Sequence, residues 1–63
     1  MNIRINDEEL EIFSGARVKD ALAKFSNNEY LAVIQGEKQV KDKRNNTIDP
    51  DGELADGQQL YVN

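Results

Sequence analysis

The chain has 63 residues and contains no cysteine, no histidine and no tryptophan. Without cysteine it can form neither a disulfide framework nor a thiolate metal site. Without histidine it lacks the commonest general base and the commonest metal ligand. Thiol and imidazole chemistry are therefore excluded, and we expect no bound cofactor.

Long apolar runs and excess positive charge are also missing. No segment approaches the ~20 apolar residues that span a bilayer, and residues 1–5 resemble a strand rather than a signal peptide. The net charge is -4, whereas phosphate binding needs a basic surface. We therefore expect a cytoplasmic protein, a single domain over residues 1–63, with neither a membrane nor nucleic acid as its partner.

The first twelve residues predict a β-hairpin. Ile3 and Ile5 alternate with polar residues, and Leu10 and Ile12 repeat that alternation. A period of two is typical of half-buried strands. The Asn-Asp pair at positions 6–7 suits the turn between them. The four apolar side chains should therefore share one face of the hairpin.

A helix is predicted next. Val18, Ala21, Leu22 and Phe25 are spaced i, i+3, i+4 and i+7, which is one stripe of an amphipathic helix. Arg17 occupies the position where a serine, threonine or aspartate cap is expected. The Ser-Asn-Asn sequence at positions 26–28 should end the helix.

The second half of the chain predicts strands and turns. Residues 30–34 form a nearly continuous apolar run, interpreted as a central strand, and residues 38–40 are interpreted as a short return strand. Asp-Pro-Asp-Gly at positions 49–52 and Asp-Gly at positions 56–57 are turn signals. Residues 59–63 are predicted to form the last strand.

This order of elements predicts an α+β fold of the β-grasp (ubiquitin-like) type. One helix would pack across a mixed sheet of four to five strands, because its apolar stripe needs a partner surface. The first and last strands would lie parallel in the sheet centre, which the helical crossover permits.

Several stretches resemble the small sulfur-carrier family, which includes the thiamine-biosynthesis sulfur carrier and the small subunit of molybdopterin synthase. Residues 1–6 resemble the family's opening strand and turn, and residues 14–22 resemble its Gly-Ala-Thr-Val-x-Asp-Leu-Leu segment, with Arg17 in place of the threonine. Residues 32–37 resemble the strand ending in Val-Asn-Gly-Glu. Residues 54–60 resemble Leu-x-Asp-Gly-Asp-x-Leu.

The resemblance implies a specific chemistry that this sequence lacks. In the family, a partner enzyme adenylates the carboxylate of a C-terminal Gly-Gly tail, which then becomes a thiocarboxylate. This sequence has no Gly-Gly and ends at Asn63, on the last predicted strand. We therefore expect a non-catalytic protein-binding module related to sulfur carriers. The alternatives are a sulfur carrier for thiamine or molybdopterin biosynthesis with a truncated tail, and an accessory domain of a larger protein.

A partner surface is predicted on the open face of the sheet. The partner would be a protein, for example an adenylating or synthase-type enzyme. The alternatives are simple cross-strand packing of the tyrosines and a solvated, lysine-rich edge strand and loop. The predicted contact residues are Tyr30, Ala32, Ile34 and Tyr61, with a charged rim of Lys38, Lys41, Lys43 and Arg44.

Two acidic motifs resemble chemical sites but lack the geometry that such sites need. Asp49 and Asp51 precede Gly52, but an EF-hand loop needs its glycine at the sixth position rather than the fourth. Glu9 and Glu11 should face solvent on a strand, outside any cleft of the kind that catalytic carboxylates occupy. The sequence therefore predicts no catalytic, metal-binding or cofactor-binding residues and no enzyme.

Overall fold

Two α-helices lie against one face of a five-stranded mixed sheet in the computed structural model, which describes the whole chain, Met1–Asn63. The sheet order is β2-β1-β5-β3-β4, with β1 and β5 parallel at its centre and the other neighbours antiparallel. This arrangement confirms the predicted α+β class, the mixed sheet and the parallel central pair. The elements are β1 (Asn2–Ile5), β2 (Glu8–Glu11), α1 (Val18–Phe25), α2 (Asn27–Ile34), β3 (Val40–Asp42), β4 (Thr47–Ile48) and β5 (Gln59–Val62).

The β1–β2 hairpin forms as predicted. Its two loop residues, Asn6 and Asp7, have φ of +51° and +67°, the left-handed pair that a two-residue hairpin turn requires. Ile3 lies opposite Leu10, and Ile3 and Ile5 are buried. The apolar face of the hairpin therefore forms one side of the core.

Helix α1 begins without a side-chain cap from Arg17 because other groups satisfy its first N–H groups. The N–H of Val18 donates to the carbonyl oxygen of Gly52 at 3.0 Å, and the following N–H donates to that of Pro50 at 2.9 Å. The Asp20 carboxylate accepts the N–H of Arg17 at 2.9 Å. A turn distant in sequence thus replaces the missing cap.

An ion pair fastens the same turn to α1. The Lys19 ammonium lies 2.8 Å from an Asp51 carboxylate oxygen. This hydrogen bond raises the pKa of Lys19 and lowers the pKa of Asp51. Arg17 Nη1 also donates to the backbone carbonyl of Asp51 at 2.6 Å. These charged groups are therefore engaged in holding the turn.

The predicted strand over residues 30–34 is wrong, because these residues belong to α2. The Ser26 hydroxyl accepts the N–H of Glu29 at 3.4 Å, so a second helix begins where the first one ends. Val33 is buried and Tyr30 packs partly buried against the core, while Leu31 and Ile34 are exposed. The domain therefore has two helices rather than the one predicted.

The other turn predictions are confirmed, and one strand is displaced. Gly52 donates its N–H to Asp49 O at 2.8 Å. Gly57 has φ of +81°, the conformation a type II turn requires at its third residue. The short strand predicted at residues 38–40 forms later, as β3, and the sheet gains β4 as a fifth strand.

The core is entirely apolar. Ten residues are buried, and none of them is polar or charged. Each helix has eight residues, too few to cross a bilayer. The buried residues are Ile3, Ile5, Ile12, Ala16, Val18, Ala21, Leu22, Val33, Val40 and Leu60.

Candidate functional site

The face of the sheet that points away from the helices is polar and uncovered. Side chains alternate along each strand, so the neighbours of the buried residues project from this face. We call this surface the open face. Its residues are Asn2, Arg4, Glu9, Glu11, Lys41, Thr47, Gln59 and Tyr61.

Charges of opposite sign lie at opposite ends of the open face. Edge strand β2 contributes Glu9 and Glu11 at one end. Arg4 of β1 lies beside them, with Nη2 3.9 Å from a carboxylate oxygen of Glu9. At the other end, β3 contributes Lys41, and the β3–β4 loop contributes further basic residues. The open face therefore has an acidic end and a basic end.

Tyr61 lies beside the basic end. It is directly opposite Lys41 in the β3–β5 register, which places both side chains on the same face as cross-strand neighbours. The Tyr61 hydroxyl donates to Gln59 Oε1 at 3.2 Å, so the ring extends along β5 over the open face. Both Tyr61 and Lys41 are partly exposed. The only aromatic side chain on this face is therefore next to a lysine.

Asp42 organises the loop that carries the remaining basic residues. Its Oδ1 accepts the backbone N–H of Arg44 at 2.8 Å and that of Asn46 at 2.9 Å. The hydrogen bonds from Asn46, and secondarily from Arg44, hold the pKa of Asp42 below its ordinary value of 3.8. Asn45 has φ of +69° and completes a three-residue hairpin loop with Lys43 and Arg44.

We define the basic corner as Lys41, Lys43, Arg44 and Tyr61. Two shallow depressions adjoin it, and Lys43 lines both. One, of about 350 Å³, lies between the β3–β4 loop and the turn before β5 and has no hydrophobic lining residue. The other, of about 280 Å³, is lined by Lys41, Asp42, Lys43, Asn45, Tyr61 and Asn63. Small-molecule sites are enclosed and mostly apolar, so this shape is better matched to a protein segment.

The structure divides the predicted partner surface into two parts. Tyr61, Lys41, Lys43 and Arg44 come together at the basic corner. Lys38 does not join them, because its ammonium pairs with Glu29 of α2 at 2.6 Å.

The helical part of the predicted surface is not on the open face. The predicted patch of Tyr30, Ala32 and Ile34 assumed a strand, in which alternate residues share a face. In α2, Tyr30 and Ile34 are one turn apart, whereas Ala32 points to a different side of the helix. These three residues lie on the helical layer, away from Tyr61.

The helical side carries an exposed apolar surface. Leu31 is 42% exposed and Ile34 is 50% exposed, and they lie three residues apart on α2. A groove of about 220 Å³ runs between the end of α2 and strands β3 and β4. Val33, Val40 and Ile48 are its hydrophobic lining residues. This side is the competing candidate for a binding surface.

No cluster of titratable groups suggests catalysis or metal binding. No three acidic side chains are grouped so as to hold a metal ion. The groups with shifted pKa values are Lys19, Asp42 and Asp51, and each is explained by a turn or loop contact described above. None of them lies in an enclosed cleft of the kind that tunes a catalytic residue.

Amide side chains are the functional candidates that the sequence reasoning missed. Asn45 and Asn63 line the depression of about 280 Å³, and Gln58 and Gln59 line the depression of about 350 Å³. They come from two segments, the β3–β4 loop and β5 with its flanking residues, which only the sheet brings together. The one sequence signal for this grouping is the Asn-Asn pair at positions 45–46, which is typical of a hairpin loop.

Comparison of the chain with protein-family models, with curated proteins and with solved structures finds no match.

Proposed function

We propose that this chain is a β-grasp domain that binds another protein through the basic corner of its open face. The sheet order supports the β-grasp assignment, because the first and last strands are parallel and central and both helices pack on one face. Such a fold leaves the second face of the sheet free for contacts. The proposed module is non-catalytic and needs no cofactor.

The observation that carries this proposal is the composition of the basic corner. Lys41 and Lys43 line one depression with the partly exposed Tyr61, and Arg44 follows Lys43 in the same loop, in a chain whose net charge is -4. Tyrosine and arginine are enriched at protein interfaces, where a polar rim surrounds an aromatic contact. The competing surface on α2 has two exposed aliphatic side chains, Leu31 and Ile34, and the nearby Lys38 is already paired with Glu29.

A sulfur-carrier role is the second candidate. It is favoured by the resemblance of residues 54–60 to the carrier motif and by the position of Asn63, which lines the depression beside Tyr61. A tail continuing from Asn63 would start at the basic corner and could be guided there into an activating enzyme. Intact-mass analysis of the native gene product tests this role, because it requires a C-terminal thiocarboxylate after Gly-Gly.

Site-specific photo-crosslinking tests the binding surface. A benzophenone amino acid replaces Tyr61 in one variant and Leu31 in a matched control variant on the helical side. We expect protein adducts from position 61, and we expect them to disappear when Lys41→Glu and Lys43→Glu are added. Adducts that form from position 31 alone, or adducts from position 61 that survive both charge reversals, would contradict the proposal.

A further inference from the structure

The basic side chains of this protein divide into two groups. Of the eight lysines and arginines, Arg4, Lys19 and Lys38 form ion pairs with acidic side chains. Arg17 and Lys24 donate to the backbone carbonyls of Asp51 and Glu11. The three that remain make no ion pair and no side-chain hydrogen bond. They are Lys41, Lys43 and Arg44, the three cations of the basic corner.

The nearest carboxylate does not pair with these cations. Both oxygens of Asp42 are directed into its own loop, where they accept hydrogen bonds from Arg44 N–H and from the backbone and side chain of Asn46. The negative charge of Asp42 therefore stabilises the loop conformation. The ammonium and guanidinium groups of the corner keep their hydrogen-bonding capacity for an external ligand.

The acidic end of the open face is too distant to cancel this charge. Strand β2 is three strands away from β3 in the sheet order. At about 4.8 Å per strand, the separation is roughly 14 Å. The Debye length at physiological salt is about 8 Å, so exposed charges at that distance are largely screened. The corner therefore carries three positive charges against the single negative charge of Asp42, although the whole chain is acidic.

The small size of the basic corner favours a short acidic peptide segment over a nucleic acid as its anionic ligand. A nucleic acid carries one charge per ~1.7 Å of duplex and would extend over the acidic remainder of this chain, where it is repelled. A short carboxylate-bearing segment can confine its charge to the corner. Its apolar side chains can rest on the Tyr61 ring, and its backbone can bond the amides of Asn45 and Gln59.

We infer that the partner presents an acidic segment, two or more aspartate or glutamate side chains flanking an apolar residue, to the basic corner. This inference rests on the proposed protein-binding function and specifies the chemistry of the partner. The carboxylates bind Lys41, Lys43 and Arg44, and the apolar residue contacts Tyr61.

Titration of the isotope-labelled chain with two peptides tests the inference by nuclear magnetic resonance. One peptide is Glu-Asp-Leu-Asp-Glu and the other is its uncharged counterpart, Gln-Asn-Leu-Asn-Gln, both with blocked termini. We expect the acidic peptide to shift the amide signals of β3, the β3–β4 loop and β5. We expect the uncharged peptide to bind at least about tenfold more weakly, as the loss of several exposed ion pairs implies.

Charge-reversal variants provide the matched control. Lys43→Glu should weaken binding of the acidic peptide by about tenfold, because it removes an attraction and adds a repulsion. Lys24→Glu makes the same change in net charge on α1 and should alter the affinity by less than about twofold, because Lys24 contacts Glu11 of β2 and that strand is three strands, about 14 Å, from β3. A rise in salt concentration should weaken binding to the unmodified chain, a readout that does not depend on the folding of any variant.

Four results would overturn the inference. They are equal binding of the two peptides, signal shifts confined to α2, tighter binding of a short oligonucleotide than of the acidic peptide, and self-association through the corner in the absence of peptide. If any of these occurs while position 61 still gives protein crosslinks, the proposed function stands and the acidic-segment chemistry fails. If the crosslinks are also absent, both fail.

Discussion

At the residue scale, Asp42 shows how one carboxylate fixes the shape of the basic corner. It ends β3, and its three accepted hydrogen bonds set the path of the loop that carries Lys43 and Arg44. Because ionised oxygens accept these bonds best, the loop conformation depends on the charge state of Asp42.

The pH dependence of Asp42 gives the first prediction. Its folded pKa lies below the ordinary 3.8, so the ionised form stabilises the loop above that pH, and the contribution disappears as pH falls through the folded pKa. We expect the Asp42 carboxyl carbon to titrate below pH 3.8, and the amide signals of Arg44 and Asn46 to move with the same midpoint. A midpoint at or above 3.8 would show that these hydrogen bonds do not form.

The second prediction concerns the free energy of unfolding and compares two leucines in different environments, Leu22 and Leu31. Leu22 is fully buried in the core, whereas Leu31 is 42% exposed on α2. Leu22→Ala should lower the free energy of unfolding by about 3 kcal/mol through lost burial and a cavity. Leu31→Ala should change it by no more than about 0.5 kcal/mol. Urea denaturation measures both free energies of unfolding. Equal decreases for the two variants would mean that Leu31 is buried rather than exposed on α2.

At the scale of elements, the Ser26 boundary decides whether the middle of the chain contains one helix or two. Ser26 ends α1 and accepts the N–H of Glu29 at the start of α2. The distance of 3.4 Å between the Glu29 nitrogen and the Ser26 hydroxyl oxygen is long for a hydrogen bond. The contribution of this cap to the free energy of unfolding should therefore lie at the low end of the usual range for N-caps.

Ser26→Ala should therefore destabilise the domain by about 0.5 to 1 kcal/mol, since the first turn of α2 loses an N–H acceptor. Ser14→Ala, in the exposed turn before α1, is the matched control and should be close to neutral. Thermal unfolding followed by circular dichroism measures the difference. An unchanged melting temperature for Ser26→Ala would contradict the assignment of Ser26 as the N-cap of α2.

The elements that the sequence predicted correctly are those with a local periodic signal. The two strands of the first hairpin have alternating apolar residues, and α1 has its stripe at i, i+3, i+4 and i+7. Residues 30–34 lack any such period, and a short apolar run does not distinguish a strand from a buried helix. The deciding signal was the Ser-x-x-Glu pattern formed by Ser26 and Glu29, which is typical of a helix start.

The candidate site was predictable in part. The basic cluster is contiguous in the sequence, so Lys41, Lys43 and Arg44 could be grouped without a structure. The position of Tyr61 opposite Lys41 depends on the register between β3 and β5, which no local pattern specifies. The assignment of Tyr30 to the same face failed because it depended on the wrong element type.

At the scale of the whole molecule, one apolar core joins both helices to the sheet. A domain of this kind should unfold in a single cooperative transition. The average unfolding enthalpy per residue gives about 45 kcal/mol for 63 residues near 60 °C. Scanning calorimetry should show one transition with equal calorimetric and van't Hoff enthalpies, whereas two transitions would show that the helical layer and the sheet unfold separately.

We propose that the distribution of charge over the whole molecule makes the basic corner the place where this protein contacts others. Lysine acetylation rates, measured on the free chain and on the chain crosslinked to its partner, test this claim most directly. We expect the rates of Lys41 and Lys43 to fall in the complex while that of Lys24 stays the same. Protection of Lys24 or Lys38, with Lys41 and Lys43 reacting as fast as in the free chain, would contradict the account.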